Sequence, residues 1–320
     1  MNNELNEAMA QGKPIERRIQ KTILVVDDTP GNIDMMLNIL KEYDVIPATS
    51  GEEALFLLEN ETVDMILLDI MMPSMDGFEV CSRLKANEAT REIPVIFITA
   101  KNDLDSIEKA YDAGGVDYVT KPFRPRELMA RVKTHLHLRE VIGKLDYLAT
   151  HDSLTGLYNR RKFFELGRKL YNSSKSTVSA VIIDIDHFKR INDCHGHHSG
   201  DLVLKAVTKT IGALLPKQSV LGRVGGEEFA ALIDACTMDD VKQLIDIIRI
   251  TVSELIISIG GGAGLSCTIS SGVARTGDGV ASLDDLLKKA DAALYEAKQS
   301  GRNRTIFRQS DTCTRQLPDE

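Results

Sequence analysis

From residue 22 the chain alternates short apolar runs, each closed by a polar residue, with stretches whose apolar positions recur every three or four residues. The first kind reads as buried strand and the second as amphipathic helix. Strands are expected at 23–26, closing on Asp27 and Asp28; at 45–48; at 65–68, closing on Asp69; at 94–98, closing on Thr99 and Ala100; and at 118–119, closing on Thr120, Lys121 and Pro122. Helices are expected at 32–41, where Ile33, Met36, Leu37 and Leu40 share a face, and at 51–58. Regular alternation of strand and helix predicts an α/β domain with a doubly wound parallel sheet, in which ligands meet the carboxyl ends of the strands. Asp27, Asp28, Asp69, Thr99 and Lys121 all fall at such ends.

At 125–150 the rhythm changes. Leu128, Val132, His135, Leu138, Ile142, Leu145 and Ala149 recur at spacings of three and four, interrupted only by Gly143. This predicts one long helix that leaves the first domain as a stalk with a dimer-forming stripe. Beyond it the pattern predicts a helix at 159–169, a buried strand at 178–186 and a helix at 201–215. Apolar runs at 220–221 and 229–233 flank Gly225-Gly226 and read as a hairpin whose tight turn needs positive φ. A helix at 238–255, a strand at 267–274 and a helix at 283–299 follow. The glycine run 260–264 reads as a joint between two strands; a dinucleotide-binding loop is rejected there because no helix follows. The second half is therefore an α+β sheet with helices on its faces.

Composition narrows the setting. At 320 residues two domains are expected, and 43% hydrophobic with 27% charged residues is ordinary for a globular chain. A net charge of −8 argues against a general nucleic-acid binder. Five scattered cysteines, with no CxxC pair, fit reduced thiols in a cytoplasm. Residues 1–21 are polar, without the apolar core of a signal peptide, and no apolar run reaches the length of a membrane span. Residues 1–20 are expected to be a flexible tail and 309–320 a tail.

Two groups of residues carry chemistry. In the first half, three carboxylates crowded at strand ends repel and call for a divalent cation. Asp69, at a central strand end, can act as a nucleophile toward a phosphoryl group, while a lysine pairs with the phosphate and a threonine hydroxyl bonds it. In the second half, Asp184 at a strand end and Glu227 with Glu228 in the hairpin outline a hard-oxygen cation site of the kind that suits magnesium and bound phosphates. Lys298, Arg302 and Arg304 near a helix end become candidates for triphosphate contacts opposite such a site. Cys194, His195, His197 and His198 suggest zinc, but contiguous side chains cannot all reach one ion.

Residues 21–137 resemble a response-regulator receiver domain. The resemblance rests on Val25-Val26-Asp27-Asp28, Leu68-Asp69-Ile70-Met71-Met72-Pro73 with Met75-Asp76-Gly77, Thr99-Ala100 and Lys121-Pro122-Phe123. It implies phosphorylation of Asp69 by a partner histidine kinase and magnesium held by Asp27, Asp28, Asp69 and the Met71 carbonyl. Thr99 and Tyr118 would be the switch pair, with Lys121 beside them, and Lys121-Pro122 would be a cis peptide.

Residues 151–308 resemble the GGDEF family of diguanylate cyclases and, more broadly, the palm-like sheet of nucleotide cyclases and polymerases. The motifs are His151-Asp152-x-Leu154-Thr155-Gly156-Leu157-x-Asn159-Arg160-Arg161, Asp184-Ile185-Asp186-x-Phe188-Lys189-x-Ile191-Asn192-Asp193, Gly196-His197 and Gly200-Asp201. They continue with Arg223-x-Gly225-Gly226-Glu227-Glu228-Phe229, Ser270-x-Gly272-Val273-Ala274, the run from Ala290 to Lys298, and Gly301-Arg302-Asn303-Arg304. The resemblance implies condensation of two GTP to cyclic di-GMP in a dimer joined through receiver and stalk. Asp184, the Ile185 carbonyl, Glu227 and Glu228 would hold magnesium, or manganese in its place, and Glu227 would deprotonate the attacking hydroxyl. Asn192 and Asp201 would read guanine. Phe188, Lys189, His197, Gly225, Gly226, Lys298 and Arg302 would complete the substrate site. Two alternatives are a GTP-sensing module without catalysis and a cyclase making a mixed guanine–adenine dinucleotide; the intact site residues weigh against the first and Asp201 against the second. One departure stands out. The family's inhibitory Arg-x-x-Asp reads here as Pro216-Lys217-Gln218-Ser219, which predicts weak product inhibition through that site.

Overall fold

A computed structural model describes residues 21–100, 104–173, 178–234, 237–259, 264–276 and 280–308. The expected tails and the glycine run at 260–263 lie outside these residues. The chain divides into two compact units, Met1–Lys144 and Leu145–Glu320. The division falls inside the long helix.

The first unit holds five strands: β1 (Thr22–Val26), β2 (Asp44–Ala48), β3 (Met65–Asp69), β4 (Val95–Thr99) and β5 (Asp117–Thr120). They form one all-parallel sheet in the order β2-β1-β3-β4-β5. Alternate side chains of its central strands point to opposite faces, so each run feeds two cores. Leu24, Val26, Ile66, Leu68 and Phe97 pack with α2 (Gly51–Asn60) and α3 (Gly77–Ala86). Ile23, Val25, Met65, Leu67, Ile96 and Ile98 pack with α1 (Pro30–Ile39) and the start of α5 (Pro125–Thr150). Helix α4 spans Leu104–Asp112. Ser50 and Asp76 cap the N-termini of α2 and α3 by accepting the Glu53 and Glu79 amides at 3.2 and 2.8 Å, which starts each helix where its apolar stripe begins. The doubly wound parallel sheet is as the pattern predicts, and Lys121-Pro122 is cis.

Helix α5 departs from the expected stripe in one respect. Leu128, Val132 and Leu136 are its buried apolar positions, whereas His135 is half-buried and meets the Asp117 carboxylate at 3.1 Å. Packing on a sheet follows the 3.6-residue period, so the core face steps from 132 to 136 and leaves 135 to its side. Farther along, Leu138, Ile142, Leu145 and Leu148 are all exposed.

The second unit is built on a six-stranded mixed sheet ordered β13-β12-β7-β9-β8-β6. Its strands are β6 (Tyr158–Asn159), β7 (Val178–Ile185), β8 (Val220–Arg223), β9 (Glu228–Asp234), β12 (Ile269–Arg275) and β13 (Thr305–Arg308). A separate antiparallel pair, β10 (Ile257–Ser258) and β11 (Gly264–Leu265), flanks the glycine run. One face of the large sheet is covered by α7 (Phe188–Leu214) and α8 (Met238–Ser253), the other by α6 (Arg160–Ser173) and α9 (Leu283–Gln299). A capping box between Thr237 and Asp240 starts α8. Helix α7 begins at Phe188, earlier than the 201–215 that periodicity predicts. Gly196 (φ 79°, ψ 160°) breaks it into two helical pieces, and the break hides the first from a pattern search. Strand β13 was not predicted. Among the described residues no helix is long and apolar enough to cross a membrane.

Candidate active sites

The first site lies at the carboxyl ends of β1 and β3. Asp27, Asp28 and Asp69 bring one carboxylate oxygen each within 4.8 Å of one another. Asp27 and Asp69 are buried and Asp28 is exposed. Lys121 reaches both buried acids, at 2.8 Å from Asp27 and 3.0 Å from Asp69. Asp27 is further held by the Thr29 amide at 2.9 Å and by the Asn32 side-chain amide at 2.9 and 3.1 Å. Burial raises the Asp69 carboxyl above the usual range; Lys121 opposes this, and Asp27 and Asp28 add to it. Three hard oxygen donors, two of them sharing one lysine, fit a divalent cation. Thr99 is buried at the end of β4. Tyr118 is half-buried and sets its ring edge-on to Tyr111 at 6.3 Å. The Met71 side chain is exposed between β3 and α3.

The second site lies where β7 meets the β8–β9 hairpin. Asp184 and Glu228 are register partners across β7 and β9, and the Ile185 amide donates to the Glu227 carbonyl at 3.4 Å. Asp184 is buried, while Glu227 and Glu228 are half-exposed. Burial pushes the Asp184 carboxyl up to about 6; Glu227 and Glu228 add to this and Lys298, 2.8 Å away, opposes it. A carboxyl raised chiefly by burial, with two further acids beside it, fits a divalent cation. These three are not drawn as close together as the acids of the first site: among the described residues only Asp27, Asp28 and Asp69 form so tight a group.

The hairpin turn is not the expected one. Pairing of β8 with β9 ends at Arg223 and Phe229, and residues 224–227 form the loop, with the Val224 amide donating to the Glu228 carbonyl at 3.0 Å. A loop this wide needs no primed turn, and neither Gly225 nor Gly226 has positive φ. Their requirement is spatial. A Cβ on Gly225 would come 2.6 Å from Glu228 Oε2, and exposed Gly226 has nothing within 4 Å, leaving the backbone open to a ligand.

Asn192 and Asp201 belong to opposite sides of the α7 break. A Cβ on Gly200 would overlap the Asn192 side-chain oxygen, so Asn192 is seated directly against the residue preceding Asp201. Phe188 is buried in the core, Lys189 and His197 are exposed, and Arg302 is half-exposed in the turn after α9. Lys298 is the one expected phosphate ligand already engaged with an acid.

Sequence reasoning gave Asp152, Arg223 and Asp186 no role. Burial pushes Asp152 up, but hydrogen bonds from Thr155 and Arg223 outweigh it and hold the carboxyl below its usual range. Their recurrence in the matched motifs was the available signal.

The first unit is thus a doubly wound parallel sheet with an acidic cluster and a lysine at its carboxyl edge, and the second a mixed sheet with acids facing each other across β7 and β9. The comparisons with known proteins agree with both. Residues 23–133 match the response regulator receiver domain, and residues 149–304 match the diguanylate cyclase, GGDEF domain. The chain belongs to the response regulators that carry a GGDEF domain. Response regulator PleD of Caulobacter vibrioides is 32% identical over 297 residues, covering 89% of this chain and 65% of PleD. Diguanylate cyclase DgcM of Escherichia coli is 40% identical over 167 residues, covering 51% of this chain and 39% of DgcM. A crystal structure of the coiled coil and GGDEF domain of DgcB from Caulobacter crescentus, in complex with c-di-GMP, matches with a TM-score of 0.52 at 31% identity, covering 57% of this chain and 98% of that one. The chain thus spans less than two thirds of the length of these curated relatives.

Proposed function

We propose that this chain is a phosphorylation-activated diguanylate cyclase, condensing two GTP into cyclic di-GMP and two pyrophosphates as a homodimer in the cytoplasm. The observation that supports this best is the pairing of Asp184 with Glu228 beside the open Gly226 loop. Asn192 and Asp201 take the guanine edge; a carboxylate accepting from the ring N–H and exocyclic amine disfavours adenine. Lys298 and Arg302 take the phosphates, with Lys189 and His197 at the rim. Glu227 accepts the proton of the 3′-hydroxyl as that oxygen bonds the α-phosphorus of the other GTP, and the bond to pyrophosphate breaks. A magnesium ion held by Asp184, Glu227, Glu228 and the Ile185 carbonyl would supply charge neutralisation for the phosphates and acidify the attacking hydroxyl.

Each catalytic domain holds one GTP, so two must face each other and a monomer is silent. A histidine kinase gives a phosphoryl group from its phosphohistidine to Asp69; a magnesium ion held by Asp27, Asp28, Asp69 and the Met71 carbonyl would supply charge neutralisation there, and Lys121, Thr99 and Tyr118 respond to the phosphate. The receiver and the exposed apolar positions of α5 join the two copies. The test is chromatography of the products made from GTP and magnesium, with and without beryllofluoride, and with ATP in a parallel reaction. Cyclic di-GMP that rises with beryllofluoride is expected. No product would leave a nucleotide-binding module, and a mixed dinucleotide would remove Asp201 as the arbiter of base choice.

A further inference from the structure

Asp186 follows Asp184 by two residues, yet its carboxylate belongs to a different network. It is 4% exposed. Oδ1 accepts the Ser270 hydroxyl at 2.7 Å, and Oδ2 accepts the Thr268 hydroxyl at 2.7 Å and the Asn303 amide at 3.0 Å. Three neutral donors thus occupy both oxygens. Asp186, Ser270 and Asn303 come from three separate sequence motifs, and this knot is what they have in common.

The segment that the knot holds is conformationally unusual. Gly301 (φ 110°), Arg302 (φ 61°) and Asn303 (φ 45°) are consecutive residues with positive φ, and two of them carry side chains. Such backbone is unfavourable for L-residues and persists only where its surroundings impose it. Asp186 is one of the anchors. The Arg302 amide donates to the Ala297 carbonyl at 3.1 Å, and Arg249 Nη1 donates to Asn303 Oδ1 at 3.2 Å. The Arg302 guanidinium itself has no hydrogen-bond or ion-pair partner among the described residues. The two acids therefore grip the same stretch at two points: Asp184 meets Lys298 at the end of α9, and Asp186 meets Asn303 just beyond it.

We propose that Asp186 is a positioning residue for the triphosphate, acting through Arg302. Its carboxylate fixes the left-handed turn that presents an otherwise unpartnered guanidinium beside Lys298. Its oxygens accept from Ser270, Thr268 and the Asn303 amide, and the proposal assigns it no cation. This rests on the reading of Arg302 as a phosphate ligand.

The experiment measures binding of a non-reactive GTP analogue with magnesium, and of guanosine by competition, to the full chain. The variants are Asp186→Asn, Arg302→Ala and the double variant. Asp186→Asn should weaken the analogue about tenfold, which is ~1.4 kcal/mol, and leave guanosine unchanged. The double variant should bind no more weakly than Arg302→Ala alone. Asn303→Gly, which tolerates positive φ unaided, should restore part of the loss. Thr268→Val, which removes one donor only, should give a smaller version of the Asp186→Asn effect and serves if that variant does not fold. Equal losses for both ligands, or additive losses in the double variant, would overturn the proposal. A loss in Arg302→Ala with none in Asp186→Asn would overturn it while sparing the phosphate role of Arg302. No loss in Arg302→Ala would overturn both.

Discussion

Arg223 is clamped to Asp152 across 71 residues of sequence: Nη1 donates to the two carboxylate oxygens at 3.0 and 3.2 Å. The same guanidinium closes on the Gly226 carbonyl through Nε at 3.1 Å and Nη2 at 2.6 Å. One side chain thereby ties the turn after α5 to the β8–β9 loop, which carries Glu227. The helix end is itself fastened, because Asn159 and Arg161 donate to the Ala149 carbonyl at 2.8 and 2.7 Å and Tyr147 stacks on His151. Asp152→Ala should cost about 1.5–3 kcal/mol, the usual worth of a hydrogen bond to a charged group. It should also lower the cyclase rate several-fold by freeing the loop. Arg223→Lys should do nearly as much, since one ammonium cannot span both partners. Urea unfolding and product assays on the same samples check this.

The Asp152 carboxyl is held below its ordinary value, so its contribution is fully present above the unfolded pKa, about 4, and is lost as pH falls through the lower folded value. Stability measured from pH 6 downwards should therefore decline less steeply in Asp152→Ala than in the parent. Asp117 follows the same sign: burial pushes it up, but hydrogen bonds from Arg131, the Tyr118 amide and His135 hold it down.

Asp184 behaves oppositely. With no cation bound it holds a proton below about pH 6. Loading a cation must expel that proton, so the magnesium concentration for half-maximal activity should rise as pH drops below about 6, approaching tenfold per unit. Calorimetric titration of manganese at pH 5.5 and 7.5 should show proton release at the lower pH only. Asp184→Asn should remove the pH dependence together with the activity.

Asp69→Asn should abolish the response to beryllofluoride or a small phosphoryl donor and leave the unstimulated rate in place. Ile142→Glu or Leu145→Glu, at exposed positions of α5, should weaken dimerisation and lower the stimulated rate at least tenfold. Each should change monomer stability by less than about 0.5 kcal/mol. Sedimentation at several concentrations, alongside the assay, separates the two effects.

Product inhibition should be weak. Residues 216–219 form a turn, with the Ser219 amide donating to the Pro216 carbonyl at 2.9 Å and only Lys217 carrying charge. Initial rates with added cyclic di-GMP should stay within about twofold of the uninhibited rate until the product is present at a concentration comparable to that of GTP. Restoring the motif through Pro216→Arg with Ser219→Asp should introduce inhibition.

The receiver sheet was legible in the sequence because its strands are short apolar runs, four of the five with a polar site residue at the carboxyl end. In the palm-like half the periodicity marked the long strands and most helices, the motifs marked the site residues, and the short edge strands escaped both. Strand β13 is the short run Thr305–Arg308, with no alternation to mark it. The two-glycine hairpin suggested a tight turn because sequence shows glycine but not the loop width, which is set by where β8 and β9 stop pairing. His135 was assigned to the stripe because a spacing of three or four does not separate two neighbouring candidates, and only the sheet beneath selects Leu136. Asp186 was hidden by its neighbour: two acids on one strand end look equivalent until their donors are known.

Gly196 carries a consequence for base choice. On an unbroken helix Asn192 and Asp201 would stand ~13 Å apart along the axis and half a turn out of phase, unable to touch one purine. The break at Gly196, in a conformation reserved for glycine, folds the two helical pieces so that Asn192 rests on Gly200. On the proposed reading of Asn192 and Asp201, discrimination between guanine and adenine is an architectural property: healing the helix would abolish it with both side chains left as they are.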